Sequence, residues 1–250
     1  MRRSVLIAIP MLCLGFNVSA DVPTGRWKLT FAEECGGNTL DASKWIAVRT
    51  DPMSADHGSL GLQSTRLPEN VVLSGGICHL MTRKEERVRS FPWTTAAIST
   101  RNFSQQYGYF EARIRYNAAS GLNNAFWLDA SSPAPVHFEI DVNEGHYPSQ
   151  INMTLHNWTG THTQIGASLT VHDDLSLDYH LYGLLWTPEQ LTWLMDGKVI
   201  HAEPASQVRG KMKLLLSTAV LPWAGTASDK LDGTSMDVDW VRTYQKVTLE

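Results

Sequence analysis

The 250-residue sequence predicts an all-β chain folded as an antiparallel sandwich, and three observations carry that prediction. Apolar and polar residues alternate with a period of two in one segment after another, and helical periodicity is nearly absent. An Asp-Gly pair between two alternating runs supplies the positive φ that a tight hairpin turn needs. The chain shows no repeat, low-complexity stretch or linker, so about 230 residues are left for one domain once a leader is set aside. That length suits two packed sheets of long strands, which can curve and offer a concave face to an extended ligand.

Taken in order, the first element is an export leader over residues 1–20. Arg2 and Arg3 open it, an apolar run extends from Leu6 to Phe16, and Val18-Ser19-Ala20 forms a small-residue cleavage site. The run is shorter than the roughly 20 residues that span a bilayer, so no membrane span is expected. Residues 21–250 are then a single domain, secreted or periplasmic and expected to be a monomer. Short helical turns are predicted at 41–45, capped by Asp41, and at 205–208. Strands are predicted over 77–83, 96–101, 108–116, 150–156, 211–218 and 236–245. In 108–116, Phe110, Ala112, Ile114 and Tyr116 share one face, while Glu111, Arg113 and Arg115 share the other as a cross-strand ion network. Residues 191–195 and 198–201 flank Asp196-Gly197 as a hairpin.

Composition narrows the partners. The formal net charge is −4, and −6 once Arg2 and Arg3 leave with the leader. No Lys/Arg stripe appears, so nucleic acid is excluded as a partner. Charged residues make up 18 % of the chain and apolar ones 43 %, which suits a well-packed exported enzyme rather than a disordered chain. After leader removal Cys35 and Cys78 remain, either as one disulfide or as two buried thiols. The nine histidines show no zinc-type spacing, so no cofactor is expected for catalysis. Nine tryptophans exceed what a core of this size needs, and flat indole faces suit sugar rings. Apolar alternation around Trp27, Trp45, Trp186, Trp193 and Trp240 assigns those five to the core.

The chemistry concentrates in residues 138–144. Glu139, Asp141 and Glu144 interrupt an apolar strand marked by Val136, Phe138, Ile140 and Val142. In a regular strand Glu144 would point away from the other two acids. One extra residue at Val142-Asn143, a β-bulge, returns it to their face. Carboxylates held together repel and raise the pKa of at least one member, a strain that an acid/base site uses and a structural strand does not. A solvated acidic strand and a calcium-binding cluster are the competing readings. Two carboxyl groups flanking one bond are what retaining glycoside hydrolysis requires, at a separation of about 5 to 5.5 Å.

This Glu-x-Asp-x-x-Glu segment resembles the signature of glycoside hydrolase family 16, in the bulged version of laminarinases, carrageenases and agarases. The resemblance extends through residues 27–34, 40–45, 68–71, 80–85, 107–113, 125–128, 182–188, 193–198 and 236–244, in family order, and so covers nearly all of the mature chain. It implies a curved β jelly-roll sandwich with a substrate cleft on its concave face. It also implies retaining hydrolysis, or transglycosylation, of a β-linked polysaccharide. By position Glu139 is implied as nucleophile, Asp141 as the assisting acid and Glu144 as general acid/base.

Around these acids, Trp127 and Trp223 are candidates for stacking on sugar, with core packing as the alternative for each. His156 is a candidate partner of sugar hydroxyls or of Asp141, and Trp158 shares its side of the strand if the strand continues that far. Asn124 is a candidate polar lining residue, or else a turn residue after Gly121. The resemblance further implies a structural calcium held by Asp239, with a Gly76 carbonyl as a second ligand. The expected substrate is a β-1,3-glucan, with galactans, transglycosylation and non-catalytic sugar binding as alternatives. Asn143 and residues 145–148 depart from the common laminarinase pattern.

Overall fold

The computed structural model describes residues 23–49, 61–85, 91–130 and 136–247, and the predicted export leader lies outside them. Eighteen strands run along the described residues. They are β1 (Trp27–Glu33), β2 (Trp45–Ala47), β3 (Ser64–Arg66), β4 (Val71–Ser74), β5 (Ile77–Met81) and β6 (Arg83–Lys84). Next come β7 (Trp93–Thr95), β8 (Ala97–Thr100), β9 (Gly108–Arg115), β10 (Leu122–Ala130), β11 (Phe138–His146) and β12 (Gln150–Asn157). The last six are β13 (Thr163–Thr170), β14 (His180–Trp186), β15 (Gln190–Met195), β16 (Lys198–Pro204), β17 (Met212–Val220) and β18 (Ser235–Lys246). No helix among the described residues is long and apolar enough to cross a membrane.

Two antiparallel sheets face each other. One has the order β13-β12-β11-β10-β17-β8-β2, the other β16-β15-β14-β9-β18-β5-β4. The twelve-residue β18 pairs with β9 along one edge, and its other edge is shared end to end by β5 and β1. A small third sheet, β3-β7-β6, lies beside them. The alternation read from sequence accounts for the core: Phe110, Ala112 and Ile114 of β9 face Phe126 and Leu128 of β10 and Ile140 and Val142 of β11, all almost fully buried. At about 25 cal/mol per Å² of apolar surface, this shared burial is the main stabilising term of such a sandwich.

The predicted turns are present. Asp41 accepts from Ser43 N–H through its side chain at 2.9 Å, and Val208 N–H closes on Ala205 C=O. Asp196 and Gly197 both take positive φ, 48° and 75°, as the hairpin between β15 and β16 requires. Cys35 and Cys78 form a disulfide inside the core.

Some placements differ from expectation. Trp27 is only half-buried and donates to Pro23 C=O. Trp240, by contrast, is buried as expected, with the Arg242 guanidinium 4.2 Å from its ring centroid. Arg113 and Arg115 pair with Asp239 and Asp237 of β18 rather than with Glu111, which is buried and bonded to Tyr109. Asp239, the expected calcium ligand, has the Arg113 guanidinium 2.5 Å from one oxygen, and Gly76 sits in the β4–β5 turn with a φ of 79°.

Candidate active site

A cleft of about 1350 Å³ crosses the outer face of the sheet that contains β11. Five strands of that sheet line it: β13, and β10, β11, β12 and β17 through residues on one face, including Asn123 and Trp127 of β10, Ser217 of β17 and His156 of β12; β3 adds Arg66. Glu139, Asp141 and Glu144 stand together in it. The predicted bulge brings them there. Against β12, Asp141 pairs with Thr154 while Glu144 pairs with Asn152, so three steps on β11 oppose two on its neighbour. Against β10, Trp127 pairs with Asp141 and Phe126 with Asn143, which passes over Val142.

Both bulge residues turn inward, and the core receives them with polar groups. Tyr116 donates its hydroxyl to Asn143 Oδ1, and Asn143 Nδ2 donates to Asn124 C=O at 2.9 Å. Trp193 reaches across from the opposite sheet to donate its indole N–H to Asp141 C=O at 2.8 Å. A bulge frees backbone groups from the ladder, and a buried carbonyl left alone would cost about 1–3 kcal/mol. Gly145 follows because a Cβ there would stand 1.9 Å from the Tyr116 ring. The departures from the common pattern at Asn143 and Gly145 are therefore parts of the bulge support.

The three acids have different surroundings. Burial pushes Glu144 up to about 8, with Asp141 charge adding to the shift, while Asn123 donates to its Oε1 at 2.8 Å. Asp141, 3 % exposed, is raised well above the usual carboxylate range by burial and then by the neighbouring Glu139. Glu139 is also raised by burial, but His156 and the Trp158 indole oppose the shift. That indole donates to Glu139 Oε2 at 2.9 Å. Glu139 raises Asp141 through its charge and a hydrogen-bonding contact, so the more deeply buried Asp141 favours its protonated form more strongly than Glu139 does. A protonated Glu144 beside an ionised Glu139 is the pairing that an acid and a nucleophile require.

The other predicted residues divide by strand parity. Trp127 lines the cleft and donates to Ser217 Oγ at 3.1 Å. His156 lines it with Nε2 at 3.0 Å from Asp141 Oδ2, off the line of a hydrogen bond, so that buried oxygen has no aligned donor. Trp158, 41 % exposed, stands at the Glu139 end. Trp223, 46 % exposed, stands at the other end, 5.2 Å from the His146 ring.

Asn124 is not a lining residue. It is fully buried on the inner face, where it donates to Asn117 Oδ1 and to Gly145 C=O. Its neighbour Asn123 has the parity of Trp127 and takes the role expected of Asn124. Sequence reading also passes over Arg66, His146 and His162, all of which line the cleft. Parity from Glu144 would find His146, whereas Arg66 arrives from β3 with no local signal. One oxygen each of Glu139 and Asp141 and a His156 nitrogen lie within 4.8 Å of one another, so these residues could also hold a cation.

Comparison with known proteins agrees with this geometry. The model of glycosyl hydrolases family 16 matches residues 52–242. The endo-1,3-1,4-beta-glycanase ExsH of Rhizobium meliloti is 35% identical over 169 residues, which are 64% of this chain and 35% of that protein. The chain thus spans about a third of the length of that relative. A beta-glucanase of Rhodothermus marinus is 30% identical over 218 residues, 80% of this chain and 72% of its own. Among solved structures, the endo-beta-1,3-glucanase of Pyrococcus furiosus superposes with a TM-score of 0.79 at 23% identity, covering 91% of this chain and 98% of that one, and shows the same fold. With the bulged acid strand seated in a cleft of this sandwich and the family match spanning most of its length, the chain belongs to glycosyl hydrolases family 16.

Proposed function

We propose that the protein is a retaining, endo-acting glycoside hydrolase that cleaves internal linkages of a β-1,3- or mixed β-1,3-1,4-glucan outside the cytoplasm. The observation that carries this reading is Glu139 and Glu144 on the same cleft face, with burial raising Glu144 to about 8 while His156 and the Trp158 indole oppose the rise at Glu139. In the first step Glu144 protonates the glycosidic oxygen while a Glu139 oxygen attacks the anomeric carbon, so the bond to the leaving sugar breaks as a glycosyl ester forms. In the second, ionised Glu144 takes a proton from water, whose oxygen displaces Glu139. Asp141 keeps its proton hydrogen-bonded to Glu139 and offsets its change of charge. Exposed Trp158 and Trp223 at the two ends of the acid row suit sugar rings on both sides of the scissile bond, as internal cleavage needs. The substrate class rests on the names of the relatives, endo-1,3-1,4-beta-glycanase and beta-glucanase.

The test is release of new reducing ends from a panel of laminarin, mixed-linkage glucan, agarose and carrageenan. The wild type should cleave a β-glucan into oligosaccharides, and Glu139→Gln should lose at least about a thousandfold in rate while its unfolding temperature holds, because the covalent route is gone. Binding without new reducing ends, or full turnover by Glu139→Gln, would contradict the proposal. Products longer than the donor would assign transfer to a sugar acceptor instead of water.

A further inference from the structure

The turn between β12 and β13 carries a residue that the reaction above does not use. His162 stacks face to face on Trp158, with centroids 3.7 Å apart and planes 10° apart. Its Nε2 lies 2.9 Å from His156 Nδ1. His156 is nearly parallel to both, at 13° to Trp158 and 19° to His162, so the three rings form one slab at the Glu139 end of the cleft. The slab meets the acids along one edge, through Trp158 Nε1 on Glu139 and His156 Nε2 beside Asp141. Among the described residues no hydrogen bond or ion pair joins His162 to an acid, yet it touches both Trp158 and His156, which contact Glu139 and Asp141.

From this geometry we infer that His162 is a positioning residue: through Trp158 and His156 it holds in place the two groups that contact the Glu139 and Asp141 carboxyls. The inference rests on the hydrolase reading of these acids.

Imidazole chemistry supplies the reason. In a neutral ring one nitrogen donates and the other accepts. If His156 presents Nε2–H to Asp141, its Nδ1 must accept, and His162 Nε2–H is the donor in reach. If Asp141 instead gives its proton to His156 Nε2, the direction reverses and His162 accepts. Either way His162 ends a three-member chain from Asp141 through His156, and its removal lets the His156 ring flip and turn. The consequence is large because Asp141 Oδ2 is buried with no aligned donor. Small rotations of His156 therefore decide how well that oxygen is served. Asp129 places negative charge near the pair and Arg66 faces Glu139 with positive charge, so the positions of the His156 and Trp158 donors weigh on how well Glu139 serves as a nucleophile. The stack on Trp158 separately holds the indole that bonds Glu139.

Three variants divide the two contributions. His162→Phe keeps a flat ring on Trp158 and removes the hydrogen bond, His162→Gln keeps a donor and removes the ring, and His162→Ala removes both. Steady-state kinetics on a soluble β-glucan should show kcat of His162→Phe reduced about tenfold with KM within twofold, since misplacement of reacting groups acts on the chemical step. His162→Gln should recover most of that loss, and His162→Ala should be the slowest, with thermal unfolding recorded for each. Unchanged kcat in well-folded variants, or a loss confined to KM, would overturn the proposal, the latter by making His162 a direct substrate contact. A wild type that cleaves no glycan contradicts the hydrolase reading itself. In that case the imidazole 15N spectrum decides: His162→Phe must shift the His156 resonances, and an unmoved spectrum overturns the positioning role.

Discussion

Glu144 has two properties that oppose each other in the folded protein. Its raised pKa keeps the proton that catalysis needs, and the same shift makes the carboxyl a burden on stability. The unfolded chain ionises Glu144 near 4.5, while the folded protein holds the proton to about 8. A group raised in this way leaves stability intact below its unfolded pKa and erodes it as pH climbs to the folded one. Glu144→Gln removes the ionisation, so the variant should be more stable than the wild type at pH 7.5, by about 4 kcal/mol, and should lose most of that margin at pH 4.5. Chemical denaturation at the two pH values checks this. Activity should fall above about pH 8, as the acid loses its proton. At this scale the sequence is legible wherever parity can be counted: Glu139, Trp127 and His156 fall on one face by alternation, and the same count picks Asn123 over Asn124. It is silent where a side chain arrives from elsewhere, as Arg66 does from β3 and His162 from a turn.

Strand β11 works because one residue too many is tolerated in its middle. The spacing Glu139-x-Asp141-x-x-Glu144 announces that bulge from sequence alone, since an unbulged strand would send Glu144 into the core. What holds the bulge is not visible locally. Trp193 lies 52 residues away on the facing sheet, and the signal it leaves in sequence is that of any core tryptophan. Trp193→Phe keeps the ring and leaves Asp141 C=O unpaired, so it should cost about 1–3 kcal/mol in stability and lower kcat more than it raises KM. Gly145→Ala is harsher, because its Cβ would run into the ring of Tyr116, which is itself buried in the core. That variant should be poorly folded or inactive, and circular dichroism with a glucan assay will show which.

Across the whole molecule, the sheet with the acids and the sheet with the disulfide divide the labour. Cys35–Cys78 ties the segment after β1 to β5, across 43 residues, in the sheet opposite the cleft. Replacing both cysteines with alanine should lower stability by about 3 kcal/mol and leave kcat unchanged, measured by denaturant titration and turnover on the same sample. The fold class and the main strands are legible because period-two alternation reports burial directly. The order of strands within each sheet is not, since pairing depends on contacts far apart in sequence. Nor is the partner of a surface charge: only the packed sheet brings Arg113 onto Asp239.

The claim beneath all of this is that Glu139 becomes covalently glycosylated while Glu144 serves its leaving group. Incubation with a 2-deoxy-2-fluoro glycoside of the cleaved glucan bearing an activated leaving group, followed by mass spectrometry of the protein and its peptides, tests it directly. One sugar adduct on Glu139, in the peptide spanning 138–146, is the predicted result. An adduct on a different carboxylate, or turnover with inverted anomeric configuration and no adduct at all, would contradict it.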